Sequence, residues 1–165
     1  MTVTYEKIAT TTLGSTVAST TFTSISGSYT DLVLVCNYGV SVSNRNSYIQ
    51  FNSDTGTNYS MTQMLGNGTT ATSIRYSNLN QVFLTDSAMS TSNDGNACLV
   101  NIQNYSNTTT YKTFLIRQNR ANSYVETTVG MWRNTGAITS ILISSSGANL
   151  LSGSTFTLYG ILKAA

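Results

Sequence analysis

At 165 residues the chain has the length of one domain, and only 8% of its residues are charged, for a net charge of +2, against about 25% charged residues in an average domain. It has no His, no Pro and two Cys, while close to a third of it is Ser or Thr and 40% is hydrophobic. This balance excludes disorder, which pairs low hydrophobicity with high net charge; it also removes the usual His-based triads and zinc sites.

The first strands are polar. Val3, Tyr5 and Ile8 place one within Thr2 to Leu13, and Val17 to Ile25 holds a second, with Leu13-Gly14-Ser15-Thr16 as the turn. Both are rich in Thr and read as outer strands. Tyr29 to Val40 is different: Leu32, Leu34, Cys36 and Tyr38 share one face, Val33 and Val35 the other, so neither face is written for water. It is predicted to be a central strand, covered on both sides.

In the middle third, Ser47 to Asn52, Tyr59 to Leu65, Ser73 to Tyr76 and Val82 to Leu84 are shorter strands, separated by turn formers such as Asn52 to Asn58 and Gly66-Asn67-Gly68. Ser87 to Asn96 reads as a loop too polar to pack, and recognition loops are expected in this region. The last third is the most regular, with strands at Ala97 to Gln103, Tyr111 to Gln118, Tyr124 to Arg133, Ala137 to Ser144 and Thr155 to Leu162. No amphipathic helix intervenes. The pattern predicts one all-β domain over residues 1–165, an antiparallel β-sandwich. Without Pro, its sheet edges must be protected by bulges, coverage or oligomerisation.

Chemistry-bearing residues are sparse. The six acids Glu6, Asp31, Asp54, Asp86, Asp94 and Glu126 are not placed in pairs by the sequence, so no glycosidase dyad is read, and the chain is expected to be non-enzymatic, without cofactor or metal. Asn52, Asp54 and Asn58 have the oxygens for Ca²⁺ but not the spacing of a calcium loop, and a hairpin turn is the favoured reading. Sequons at Asn58, Asn67, Asn104 and Asn107 are what this composition supplies by chance.

The basic residues Lys7, Arg45, Arg75, Lys112, Arg117, Arg120, Arg133 and Lys163 are scattered, which argues against nucleic acid as a partner. No window approaches the ~18 apolar residues of a membrane span, and Met1 to Glu6 has neither the basic start nor the apolar core of a signal peptide. The expectation is a soluble chain made in a cytoplasm, with no membrane partner. Cys36 and Cys98 sit at apolar strand positions and are expected to be buried free thiols. Trp132 follows Val125, Thr127 and Val129 along one strand. It is read as buried against a second layer, with a sugar-stacking platform, together with Tyr59 and Tyr105, as the functional alternative.

Several short stretches taken together resemble a family of small virion structural proteins of tailed bacteriophages, common in phages of cyanobacteria and other aquatic bacteria. They are Tyr5-Glu6-Lys7-Ile8, Phe22-Thr23-Ser24-Ile25, Tyr29-Thr30-Asp31-Leu32, Phe51-Asn52-Ser53-Asp54 with Asn58-Tyr59-Ser60, Asn104-Tyr105-Ser106-Asn107-Thr108 before Lys112-Thr113, Val129-Gly130-Met131-Trp132-Arg133, and Gly153 to Ile161. The resemblance implies a jelly-roll-like sandwich in the virion, on the capsid surface or the tail, and carries no catalytic residue over. A capsid decoration or cement protein is the first expectation, with the major capsid protein or another virion protein as partner. The alternative is a tail-fibre or receptor-binding protein that recognises host glycan. Surplus apolar surface at Val33, Val35 and Ile141-Leu142-Ile143 adds the expectation of a symmetric oligomer, for which the resemblance suggests a homotrimer.

Overall fold

A computed structural model describes residues 4–85, 89–93, 96–120 and 123–162. The described residues form twelve strands and no helix: β1 (Tyr5–Thr12), β2 (Ser19–Phe22), β3 (Asp31–Asn37), β4 (Ser47–Phe51), β5 (Tyr59–Gly66), β6 (Ala71–Leu79), β7 (Val82–Thr85), β8 (Ala97–Gln103), β9 (Lys112–Arg120), β10 (Tyr124–Trp132), β11 (Ile141–Ser145) and β12 (Thr155–Ile161). Every strand expected from the sequence is present. The largest change of boundary is in β11, which begins at Ile141 and not at Ala137. Just before it, Asn52 takes the backbone groups that a strand partner would need: its amide donates to the Ala137 carbonyl at 2.7 Å and accepts from the N–H groups of Thr139 and Ser140 at 2.8 and 3.0 Å.

Two antiparallel sheets result, of eight strands in the order β1-β12-β3-β8-β9-β10-β5-β6 and of four in the order β2-β11-β4-β7. From β1 to β4 the chain alternates between sheets; β7 returns to the small sheet beside β4, and β8, β11 and β12 alternate again. Setting β1-β12-β3-β8 against β2-β11-β4-β7 gives the strand order of a jelly roll. The hairpins β5-β6 and β9-β10 are additions that extend the large sheet past β8. The central position read for the Tyr29 to Val40 stretch is correct, since β3 lies between β12 and β8. β1 and β2 are edge strands, as their Thr content suggests.

The core lies between the inner faces. Leu32, Leu34 and Cys36 of β3 and Val100 and Ile102 of β8 join Phe22, Ile49, Phe51, Ile141 and Ile143 of the small sheet in one continuous cluster. Burying each large side chain contributes about 1.5–3 kcal/mol. Phe114 meets Phe51 edge-on at 5.4 Å between ring centres. Gly130, its cross-strand neighbour, makes room for it: a Cβ there would stand 2.1 Å from the Phe114 ring.

The edges are interrupted. The ladders of edge strands β1, β6 and β7 each contain a register shift, between Lys7 and Ala9, between Tyr59 and Met61 on the partner of β6, and between Ser47 and Tyr48 on the partner of β7. Asn78 in β6 takes a positive φ of 56° next to its shift, a conformation that Asn tolerates better than most residues. Bulges twist and break an edge that would otherwise template another strand.

Ser87 to Asn96 corrects the sequence reading of a segment too polar to pack. Of its described residues, Met89 and Asn96 are buried. Asn96 satisfies its amide internally, donating to the Tyr38 carbonyl at 3.0 Å and accepting from the Ser90 N–H at 3.3 Å. A polar side chain packs when the protein supplies its hydrogen bonds. Residues 87, 88, 94 and 95 of this segment, Asp94 among them, lie outside the described residues, as do Asp86 and Lys163.

Candidate functional site

The aromatic residues proposed as sugar platforms are all interior. Trp132 is 1% exposed and Tyr59 and Tyr105 are 0% exposed. The Trp132 ring stacks on Tyr59 with centroids 6.2 Å apart and planes 19° from parallel, and lies 5.7 Å from Phe51. The Tyr59 hydroxyl accepts the Phe51 N–H at 3.0 Å and donates to the Phe51 carbonyl at 3.2 Å. Tyr105 donates to the Ser26 carbonyl and accepts the Tyr29 N–H. None offers a free ring face, so the stacking alternative loses its named residues; the buried reading of Trp132 holds.

The turn after β4 explains the acid-and-amide run. Asn52 and Ser53 both have positive φ, and the Asp54 N–H bonds to the Phe51 carbonyl at 2.9 Å, which makes a tight β-turn; it is not the hairpin read from the sequence, because β4 lies in the small sheet and β5 in the large one. Asp54 then accepts from Gly56 N–H at 2.8 Å, Asn58 Nδ2 at 2.9 Å and Trp132 Nε1 at 2.7 Å. Burial pushes the Asp54 carboxyl up, but the bonds from Asn58, Trp132, Gly56 and Asn134 outweigh it and hold the group below its ordinary range. Its oxygens are committed to donors, and this turn is built to hold the indole.

The other acids are dispersed. Asp31 accepts the Asn104 N–H at 2.6 Å, and Glu6 lies beside Tyr29. Glu126 is 3% exposed on the inner face of β10, where its Oε2 accepts from Thr85 at 3.4 Å. Among the described residues no three His, Cys, Asp or Glu side chains gather as a metal site would require. Lys112 is buried, and burial lowers its amine below the usual lysine range. It donates to the carbonyls of Thr110 and Thr135 at 2.8 and 3.0 Å, which ties two loops together.

What stands open is the outer face of the large sheet. Val35, Met64, Val125 and Val129 are exposed there by 40%, 65%, 61% and 59%. Cross-strand pairing puts Val35, Leu99, Arg117, Thr127 and Met64 in one row across β3, β8, β9, β10 and β5. Val33, Asn101, Leu115 and Val129 form the next row, and Asn37, Ala97, Asn119 and Val125 the row on the other side. A concavity of about 890 Å³ is lined by outward Val35, Leu99, Arg117 and Val125 and also by inward Cys36, Cys98, Gln118 and Glu126, and a second of about 340 Å³ by Asp31, Asn101, Leu115 and Ile161. Arg117 borders both.

Sequence reasoning noticed Val35 as surplus apolar surface but missed this site. The signal was present in β9 and β10, where Leu115, Val125 and Val129 occupy the positions opposite in phase to buried Phe114, Ile116 and Trp132. Val33, by contrast, is buried within the chain. Neither a protein-family model nor a curated protein matches the chain.

Proposed function

We propose that the protein is a non-enzymatic structural component of a bacteriophage virion, a capsid decoration or cement protein that seats on another virion protein through the outer face of its large sheet. The observation that carries the docking part is the patch of open Val35, Met64, Val125 and Val129 with the half-buried Leu99, spread over three adjacent rows, on a chain with so few charges. An outer sheet face normally alternates to polar residues, and a contiguous apolar one marks an interaction surface. The virion assignment is supported by the sequence resemblance alone. The homotrimer belongs to the same proposal: Val35 stays open on the docking face, and the half-buried Leu142 of the small sheet is the surplus position left for self-association.

Quantitative mass spectrometry of purified particles tests the assignment. A decoration protein is expected in numbers comparable to the capsid subunits. A few copies per particle would replace this reading with the tail-fibre one, and absence from particles would refute both. Light scattering on the isolated protein tests self-association, with a stable monomer at micromolar concentration as the contrary result.

A further inference from the structure

The outer face carries open apolar residues, but a cation stands at their centre. Arg117 stands between Leu99 on β8 and Thr127 on β10, and Leu115 and Asn119 precede and follow it on the same face of β9. Val125 and Val129 lie diagonally across on β10. The Arg117 side chain is exposed and makes no hydrogen bond or ion pair among the described residues. Among the described residues of these strands, Arg75 and Lys7 are the other cations on this face, about 14 and 19 Å away at the spacing of neighbouring strands. The one described carboxylate on this face is Asp31, at its rim, already accepting the Asn104 N–H.

We propose that this face docks a carboxylate-bearing, otherwise apolar segment of a partner protein, with the carboxylate bound by Arg117. This rests on the reading of the protein as an assembly component and specifies the partner's chemistry. A guanidinium presents a planar fork that matches a carboxylate with two parallel hydrogen bonds. The ring of Leu99, Leu115, Val125 and Val129 would exclude water once a partner is seated, and that strengthens the pair. Nucleic acid is a poor occupant, because the three cations are too far apart to follow a phosphate chain. A second copy is disfavoured as well: a two-fold contact centred on this row would set one Arg117 against its own counterpart.

The test uses the full chain and three blocked peptides about eight residues long, the length of a strand, in which Val alternates with Glu, Gln or Lys. Amide shifts in ¹⁵N-correlated spectra report where they bind. The Glu peptide is expected to perturb β8, β9 and β10 at outward positions, to bind more weakly as salt rises, and to lose about tenfold or more in affinity with Arg117→Gln. Arg117 is exposed, and unchanged shifts elsewhere would show that this variant is folded. Equal binding of all three peptides, no binding, or perturbation of the small sheet would overturn the proposal. So would binding of an oligogalacturonate in place of the Glu peptide, or concentration-dependent shifts of the same residues without peptide, which would identify a glycan or a second copy as the occupant. Because no particle is involved, a negative result here stands apart from failure of the virion assignment, which copy number decides.

Discussion

Trp132 donates its indole N–H to Asp54 across 2.7 Å, joining the end of β10 to the turn that follows β4. The bond links the large sheet to the small one next to the Phe51, Tyr59 and Phe114 rings. Asp54→Asn should therefore cost about 1–3 kcal/mol, because a charge-assisted acceptor is lost and the buried indole N–H is left facing an amide. Since the Asp54 carboxyl is held below its ordinary range, its contribution is complete above the unfolded value of about 3.9 and is lost as pH falls through the folded one. Urea denaturation of both proteins across the acid range checks this: the gap between them should close as pH falls, and a constant gap would be the contrary result.

On the alkaline side the tyrosines set the limit. Burial raises Tyr38, Tyr59, Tyr105 and Tyr124 above the usual phenol value. A phenol kept neutral in the fold but ionised in the unfolded chain makes stability fall as pH rises past about 10. With no His in the chain, no side chain with an ordinary pKa titrates between pH ~5 and ~8. Tyrosinate absorbance measured against circular dichroism gives the check: these four should ionise together with loss of β signal, and smooth titration of all ten tyrosines before unfolding would contradict the burial.

Gly130 should not tolerate a side chain. An added Cβ would lie 2.1 Å from the Phe114 ring, and relieving that clash by moving the ring is expected to cost about 1–3 kcal/mol. Gly66 is the control, since the nearest atom to its added Cβ is Val125 Cγ2 at 3.8 Å. Thermal melts of Gly130→Ala and Gly66→Ala should separate clearly, with the second within about 0.5 kcal/mol of the native chain.

Cys36 and Cys98 are cross-strand partners, buried and free. The neighbouring Cys36 thiol and burial push the Cys98 thiol well up, so its reactive thiolate form is scarce at neutral pH. An aromatic disulfide reagent should find neither thiol in the native protein and both after denaturation without reductant. Recovery of neither after denaturation would show a disulfide.

Strand order was less legible than strand existence. β3 and β8 to β12 could be read from period-two patterning because one face of each meets a core; nothing in that pattern says that β5, β6, β9 and β10 would extend the large sheet, since the choice is made by pairing between distant segments. Burial of polar groups was equally hidden. Asn96 and Lys112 go inside because the distant carbonyls of Tyr38 and Thr135 receive their N–H groups, and such partners are invisible along the sequence. Aromatic residues were a poor guide to the candidate site for the opposite reason: Trp132 and Tyr59 carry the largest apolar surfaces and were drawn into the core, which left the docking face to Val, Leu and Met.

The position of β12 between β1 and β3 governs when the molecule can be completed. On a ribosome, β1 emerges with nothing to pair with until β12 has been made, so the growing chain must carry an open edge while everything between them is synthesised. Contacts this distant along the chain predict slow folding, and exposed apolar strands in the interval invite misassociation. Truncation before Thr155 would deprive both β1 and β3 of a ladder at once, so even a short C-terminal deletion should yield insoluble protein, whereas the same number of residues added beyond β12 should be harmless.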